Sequence, residues 1–197
     1  MTTSKPYHHG DLRRQLIAVG EEVLAERGLA ALSLREVARR LGVSHNAPFK
    51  HFASREALLA AMQGEGFEEL AARLAAADAG PPDRFMVARG QAYVSFALER
   101  PALFRLMFSG EVDLARYPEL AERAEWSLSQ VGGRMADAFG SEAVEDATLS
   151  AWAFVHGLAH LILDNQVPPM LRQGRSDAEL VKAVVGAMAH GLGRRAT

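Results

Sequence analysis

The sequence predicts an all-α protein of about nine helices. Apolar residues recur at helical spacing through nearly the whole chain, no stretch alternates apolar with polar residues, and Gly and Pro fall mainly between the periodic runs. At 197 residues with 49% hydrophobic side chains, the chain is long enough to bury a real core. It has no cysteine, which excludes disulfides, thiolate metal sites and a cysteine nucleophile and fits a reducing compartment.

The elements follow in order. Leu12, Leu16, Val19, Val23 and Leu24 form one stripe that stops at Gly28. Ser33 and Glu36 have capping-box spacing and open a second helix with Leu34, Val37, Ala38 and Leu41 on one face; Gly42 ends it. A short third helix follows, capped by Ser44 or His45. Pro48 belongs in its first turn, where the missing N–H costs nothing, and so pins its start. Ser54 caps a fourth helix whose middle Gly64 and Gly66 weaken or bend. "AGPPD" (79–83) is the clearest loop. Further helices are expected at about 83–99, 101–108, 117–139, 142–166 and 176–192, separated at Pro101, "SGEVD", Gly140-Ser141 and "QVPPMLRQGRSD".

The N-terminal stretch lacks the apolar core of a signal peptide. Ala147 to Leu163 carries no formal charge but is shorter than the roughly 20 apolar residues of a spanning helix, contains two histidines and is bracketed by Asp146 and Asp164. The expectation is a cytoplasmic protein with no membrane association. Net charge is −2, unevenly spread: residues 1–55 hold nine Lys and Arg against five Asp and Glu (+4), and residues 56–197 hold thirteen against nineteen (−6). A basic front suggests one end that faces a polyanion.

That front also holds an unusual pair of helices. An apolar support helix, a Gly-Val-Ser turn and a short polar helix form a helix-turn-helix pattern, in which the second helix enters the DNA major groove. Val43 and Phe52 can anchor the short helix, leaving His45, Asn46, Ala47 and Lys50 outward. Asn46 suits adenine, Lys50 guanine and Ala47 a thymine methyl, while His51 and Arg55 suit phosphates. An ordinary helical hairpin with a polar surface is the competing reading of these residues.

"LSLREVARRLGVSHNAPFKHFASREALLAAM" (32–62), with the preceding "GDLRRQLIAVGEEVLAERGLAAL", resembles the DNA-binding segment of the TetR/AcrR family of bacterial transcription regulators. In "AWAFVHGLAHLI", Trp152, His156 and Gly157 resemble the WHG-type ligand-binding domain of one branch of that family. The chain departs at Ala47-Pro48-Phe49, where members often have Thr-Leu-Tyr: Phe49 lacks the tyrosine hydroxyl that can bind a phosphate, so only packing or apolar contact carries over to it. Phosphate roles carry over to His51, Arg55 and Arg35, and Lys5, Arg13 and Arg14 are either further backbone contacts or a solvated arm. The resemblance implies a DNA-binding domain at 1–55 and a ligand-binding, dimerising body at 56–197, acting as a homodimer on a palindromic operator and released by a small, largely apolar ligand. No cofactor is expected.

Bulky apolar residues cluster in the predicted body, and Tyr93, Phe96, Phe104, Met107, Phe108 and Trp126, with Trp152 and His156, are the expected ligand contacts. The last two long helices read as the dimer surface, one apolar almost all round and the other with small residues at Ala183, Gly186, Ala187 and Gly191. His156, His160 and Asp164 share one helix face at four-residue spacing, which leaves a metal-dependent all-α enzyme as the alternative function. A core and pocket role for these residues is the expected one, because no further ligand group has matching spacing. A helical small-molecule carrier is the remaining alternative.

Overall fold

The structure is a computed structural model that describes residues 9–77, 82–132 and 144–193. Among them are nine α-helices and no strand: α1 His9–Arg27, α2 Leu34–Leu41, α3 Arg55–Ala76, α4 Pro82–Glu99, α5 Pro101–Met107, α6 Pro118–Gly132, α7 Val144–Leu163, α8 Pro169–Arg172 and α9 Asp177–Gly193. The all-α expectation holds. Lys5 and the predicted break at Gly140-Ser141 lie outside the described residues.

Several boundaries form by the local chemistry the sequence advertises. The Ser33 hydroxyl accepts the Glu36 N–H at 3.1 Å, and the Ser54 hydroxyl accepts that of Ala57 at 3.1 Å, so both serines cap as predicted. Gly42 closes α2 at φ 72°, its N–H reaching the carbonyls of Ala38 and Arg39. An L side chain at that φ would be strained.

Two elements differ from expectation. The short third helix is a single 3₁₀ turn, Pro48–Lys50, with Pro48 at its first position. Gly64 and Gly66 do not break α3, which is continuous. α5 seats Leu103 and Met107 on Gly66, and the Gln63 side chain donates to the Leu106 carbonyl at 2.7 Å, so packing holds the helix through its weak residues.

The chain forms two compact units. The first comprises residues up to Gly66 together with Ala102–Ala121, joined by the Gly66 and Gln63 contacts with α5. Its core is built from Leu16, Ile17 and Val23 of α1, Leu34 and Val37 of α2, Phe52, and Leu58, Leu59 and Met62 of α3.

The second unit comprises Phe67–Pro101 and the residues from Glu122 onward. Within it α4 packs on α9 and on α7. Gly90 sets how closely: a Cβ there would lie 2.6 Å from a Val185 methyl and 3.4 Å from one of Val155. Valine is branched and fully buried at 185, so it has little room to yield. Gly90→Ala is expected to destabilise the protein by about 1–3 kcal/mol, read as a lowered midpoint in thermal or urea unfolding. An unchanged midpoint would show that α9 is not held this tightly.

Candidate nucleic-acid interface and ligand site

The segment 43–54 is built from two linked turns. The Ala47 N–H donates to the Ser44 carbonyl at 2.8 Å; those of His51 and Phe52 both reach the Pro48 carbonyl at 2.9 Å. Ser44 thus starts the first turn rather than capping a helix, and its hydroxyl accepts the Asn46 N–H at 3.4 Å. Pro48 and Phe52 are buried, Ala47 and His51 are half-buried, and His45, Asn46, Phe49 and Lys50 are exposed. The guanidinium of Arg13 lies 5.2 Å from the Phe52 ring centre. Of the predicted DNA-binding residues, His45, Asn46, Ala47, Lys50 and His51 therefore fall on one short segment, and Arg35 is exposed on α2.

Arg55 is placed differently from expectation. Its Nε donates to the Leu32 carbonyl at 2.8 Å and one terminal nitrogen to the Leu29 carbonyl at 2.9 Å; the other stands 3.9 Å from Glu111. Two carbonyls of the turn between α1 and α2 take the donors that the sequence offered to a phosphate. Phe49 is 50% exposed beside Lys50.

A carboxylate holds the support helix. Glu36 accepts from Arg27 of α1 at 2.9 Å, from Arg39 at 2.7 and 2.9 Å and from Arg40 at 3.3 Å, while Arg40 also pairs with Glu26 at 2.6 Å. The Arg39 hydrogen bond, opposed by burial and reinforced by Arg40 and Arg27, holds the Glu36 carboxyl down at about 2. Only the Ser33 half of the predicted reciprocal cap is seen, because the Glu36 side chain is spent on arginines.

In the second unit, Leu74, Phe85, Met86, Arg89, Gly90, Tyr93, Val131, Ala151, Val155 and Met188 line a cavity of about 20 Å³, room for one water. Of the predicted ligand contacts only Tyr93 lines it. Trp152 and His156 instead hold the Tyr93 hydroxyl: the indole N–H donates to it at 3.2 Å, and His156 Nδ1 stands 2.9 Å from it. Phe96 is fully buried with the Arg73 guanidinium 5.4 Å from its ring centre. Trp126 is 49% exposed. Phe104, Met107 and Phe108 belong to the first unit, where the rings of Phe104 and Phe108 meet edge-on at 5.1 Å. Aromatic composition marks a well-packed interior, and it does not say which ring faces a void. The first unit has a larger cavity of about 220 Å³, lined by Leu24, Gly28, Leu29, Ala102, Arg105, Leu106 and Ser109.

Sequence reading passed over Arg89. The signal was present: Arg89 interrupts the apolar face of α4, four residues after Phe85 and four before Tyr93. The His156 and His160 rings pack edge-on with centres 4.7 Å apart, and His160 Nδ1 stands 3.8 Å from Asp164. Among the described residues no group of three His, Asp or Glu is placed to hold a metal ion. No helix among them is long and apolar enough to cross a membrane.

Comparison with known proteins gives consistent matches. Residues 16–62 match the family model described as bacterial regulatory proteins, tetR family, and residues 86–188 match that described as tetracyclin repressor-like, C-terminal domain. A protein of unknown function from Rhodococcus sp. RHA1 is 34% identical with a TM-score of 0.82, over 96% of this chain and 100% of that one. A transcriptional regulator from Rhodococcus sp. RHA1 is 27% identical with a TM-score of 0.68, over 91% and 96%. An HTH-type transcriptional regulator from Mycobacterium tuberculosis is 26% identical over 136 residues, 66% of this chain and 56% of that protein. The chain thus spans little more than half the length of the curated relatives it matches.

The Tyr93 cluster has a definite pH sense. Trp152 donates to the phenol oxygen, and a neutral His156 can share its Nδ1 hydrogen bond with the same hydroxyl, the tautomer setting which of the two donates. Burial, and then the neighbouring His160, lower the His156 pKa from its ordinary 6.5, in keeping with that state. A lowered folded-state pKa means stability that is present above 6.5 and lost as the pH falls through the folded value. The thermal midpoint is expected to fall on acidification below 6.5, and His156→Gln, which accepts a hydrogen bond without titrating, should flatten that dependence. Parallel acid slopes for the two proteins would contradict the assignment.

Proposed function

Given that the chain belongs to the tetR family of bacterial regulatory proteins, we propose that it is a DNA-binding transcription regulator whose first unit reads the major groove. The observation that carries this is the short exposed row at 45–50, held on the buried Pro48 and Phe52. Lys50 and Asn46 contact bases, with His45 beside them, and Ala47 and Phe49 meet thymine methyls or sugar. His51 and Arg35 contact phosphates. Arg55 acts through the turn it holds.

The protein works as a cytoplasmic homodimer on an inverted repeat, since two heads related by two-fold symmetry match half-sites about 34 Å apart. Support comes from α7, where Leu149, Ala153, Gly157 and Leu161 form one exposed stripe, and from the exposed Ala183 and Ala187 of α9. A small ligand in the second unit releases the operator, making the protein a repressor. To do so it must bind the DNA-free conformation more tightly than the DNA-bound one.

The test is selection of bound fragments from a random DNA pool by the purified protein at physiological salt, since dilute buffer exaggerates phosphate-driven binding. An enriched inverted repeat is expected. Lys50→Ala should then relax base preference at a defined position with an unchanged thermal midpoint, costing about 1–3 kcal/mol of binding. Arg55→Ala should lower the thermal midpoint, through loss of hydrogen bonds from a charged group worth about 1–3 kcal/mol, and weaken binding to every sequence alike. No enrichment by folded, ligand-free protein would refute the DNA-binding reading.

A further inference from the structure

A cavity of about 220 Å³ lies in the first unit, where the end of α1 and the turn after it face α5. Its most buried lining residues are Leu24 of α1 and Leu106 of α5. Leu29 and Ala102, both half-buried, continue the apolar wall. The space is left open by small residues. Gly28 holds φ 74°, which disfavours any side chain there, and Ala102 and Ser109 add little volume.

The polar residues of this lining do not call for a charged guest. The Ser109 hydroxyl donates to the Leu106 carbonyl at 2.8 Å and accepts the Glu111 N–H at 3.2 Å. Arg105 is exposed, so solvent screens its guanidinium; an anion gains little from it, and a cation is repelled. Water in this space meets mostly hydrocarbon, whereas a well-bound water needs about two to four polar partners. An apolar molecule that displaces such water gains free energy. Volume sets the size of the guest. A cavity of about 150 Å³ walled by Leu, Ile and Phe takes benzene, so about 220 Å³ admits one ring with a short substituent.

The cavity adjoins a turn that other contacts already hold. The Leu29 carbonyl accepts from Arg55 at 2.9 Å and from the Leu32 N–H at 3.2 Å, and this turn leads from α1 into α2. A guest packed on Leu24 and Leu29 bears on the same turn.

We infer that the first unit carries a binding site of its own for a small uncharged apolar molecule, one ring in size, held by Leu24, Leu29, Ala102 and Leu106. It is separate from the effector site proposed for the second unit and does not rest on it. Occupancy steadies the turn that Arg55 clamps.

The experiment is NMR of the full-length protein labelled at its leucine methyls, titrated with benzene and toluene and, in parallel, with benzoate and benzylamine. Saturable shifts are expected at Leu24, Leu29 and Leu106, with a Kd for the neutral probes of about 1 mM or tighter. The two charged probes should bind about tenfold more weakly or worse. Ala102→Leu, which puts a branched side chain into the space, should weaken benzene binding by about tenfold or more. If that variant does not fold, the wild-type shifts decide, because they report the location without any substitution.

No saturable shift at these three leucines would overturn the inference, as would shifts confined to second-unit leucines such as Leu158 and Leu180. Unchanged affinity in folded Ala102→Leu, or benzoate or benzylamine binding as tightly as benzene, would do so too. Neither DNA nor an effector is present, so the result stands whether or not operator selection succeeds.

Discussion

A segment of one 3₁₀ turn cannot hold its own shape, and the rest of the first unit is arranged around that constraint. Nucleating a helical turn fixes several dihedral angles for one hydrogen bond and is unfavourable in isolation. Pro48–Lys50 has no helix of its own to propagate into. Its geometry is imposed from outside: Pro48 fixes one dihedral and is buried, Phe52 plugs into the core three per cent exposed, and Gly42 supplies the left-handed turn that brings the chain off α2. The polar row at 45–50 can face outward because everything behind it is held.

Two electrostatic clamps extend this support. Glu36 gathers guanidiniums from α1 and α2, and Arg55 carries the start of α3 onto the carbonyls between them. The exposed ion pairs contribute little apiece in water. Their value lies in number and in joining three helices, and Arg55 also satisfies two carbonyls of a turn. The second unit is organised by contact rather than charge, with α4 pressed on α9 at Gly90 and a polar ladder of Trp152, Tyr93 and His156 tying α4 to α7.

How much of this was legible in the sequence follows from where each feature gets its energy. Ser33, Gly42, Pro48 and Ser54 act on their own neighbours within a few residues, so spacing alone locates them, and α1 to α5 lie where their patterns place them. The third element was read as an α-helix because pattern cannot tell two turns of α from one 3₁₀ turn fixed by tertiary contacts. The hold of Arg55 on Leu29 and Leu32 is not legible, because those partners are more than twenty residues away and are backbone carbonyls, which leave no mark in composition. Which rings line the cavity is the least legible part. An aromatic ring buried against its neighbours and one facing a void have the same local sequence, whereas a charge inside an apolar stripe, as at Arg89, is informative by its cost.

The central claim is that residues 43–51 are the surface this protein lays on DNA. Amide hydrogen exchange of the full-length protein, with and without the DNA fragment it selects, tests that claim at the level of the backbone. Slowed exchange at the exposed row around Asn46, Phe49 and Lys50 on DNA binding is the predicted result. Bound DNA with exchange in that segment unchanged, and protection elsewhere in the chain, would contradict it.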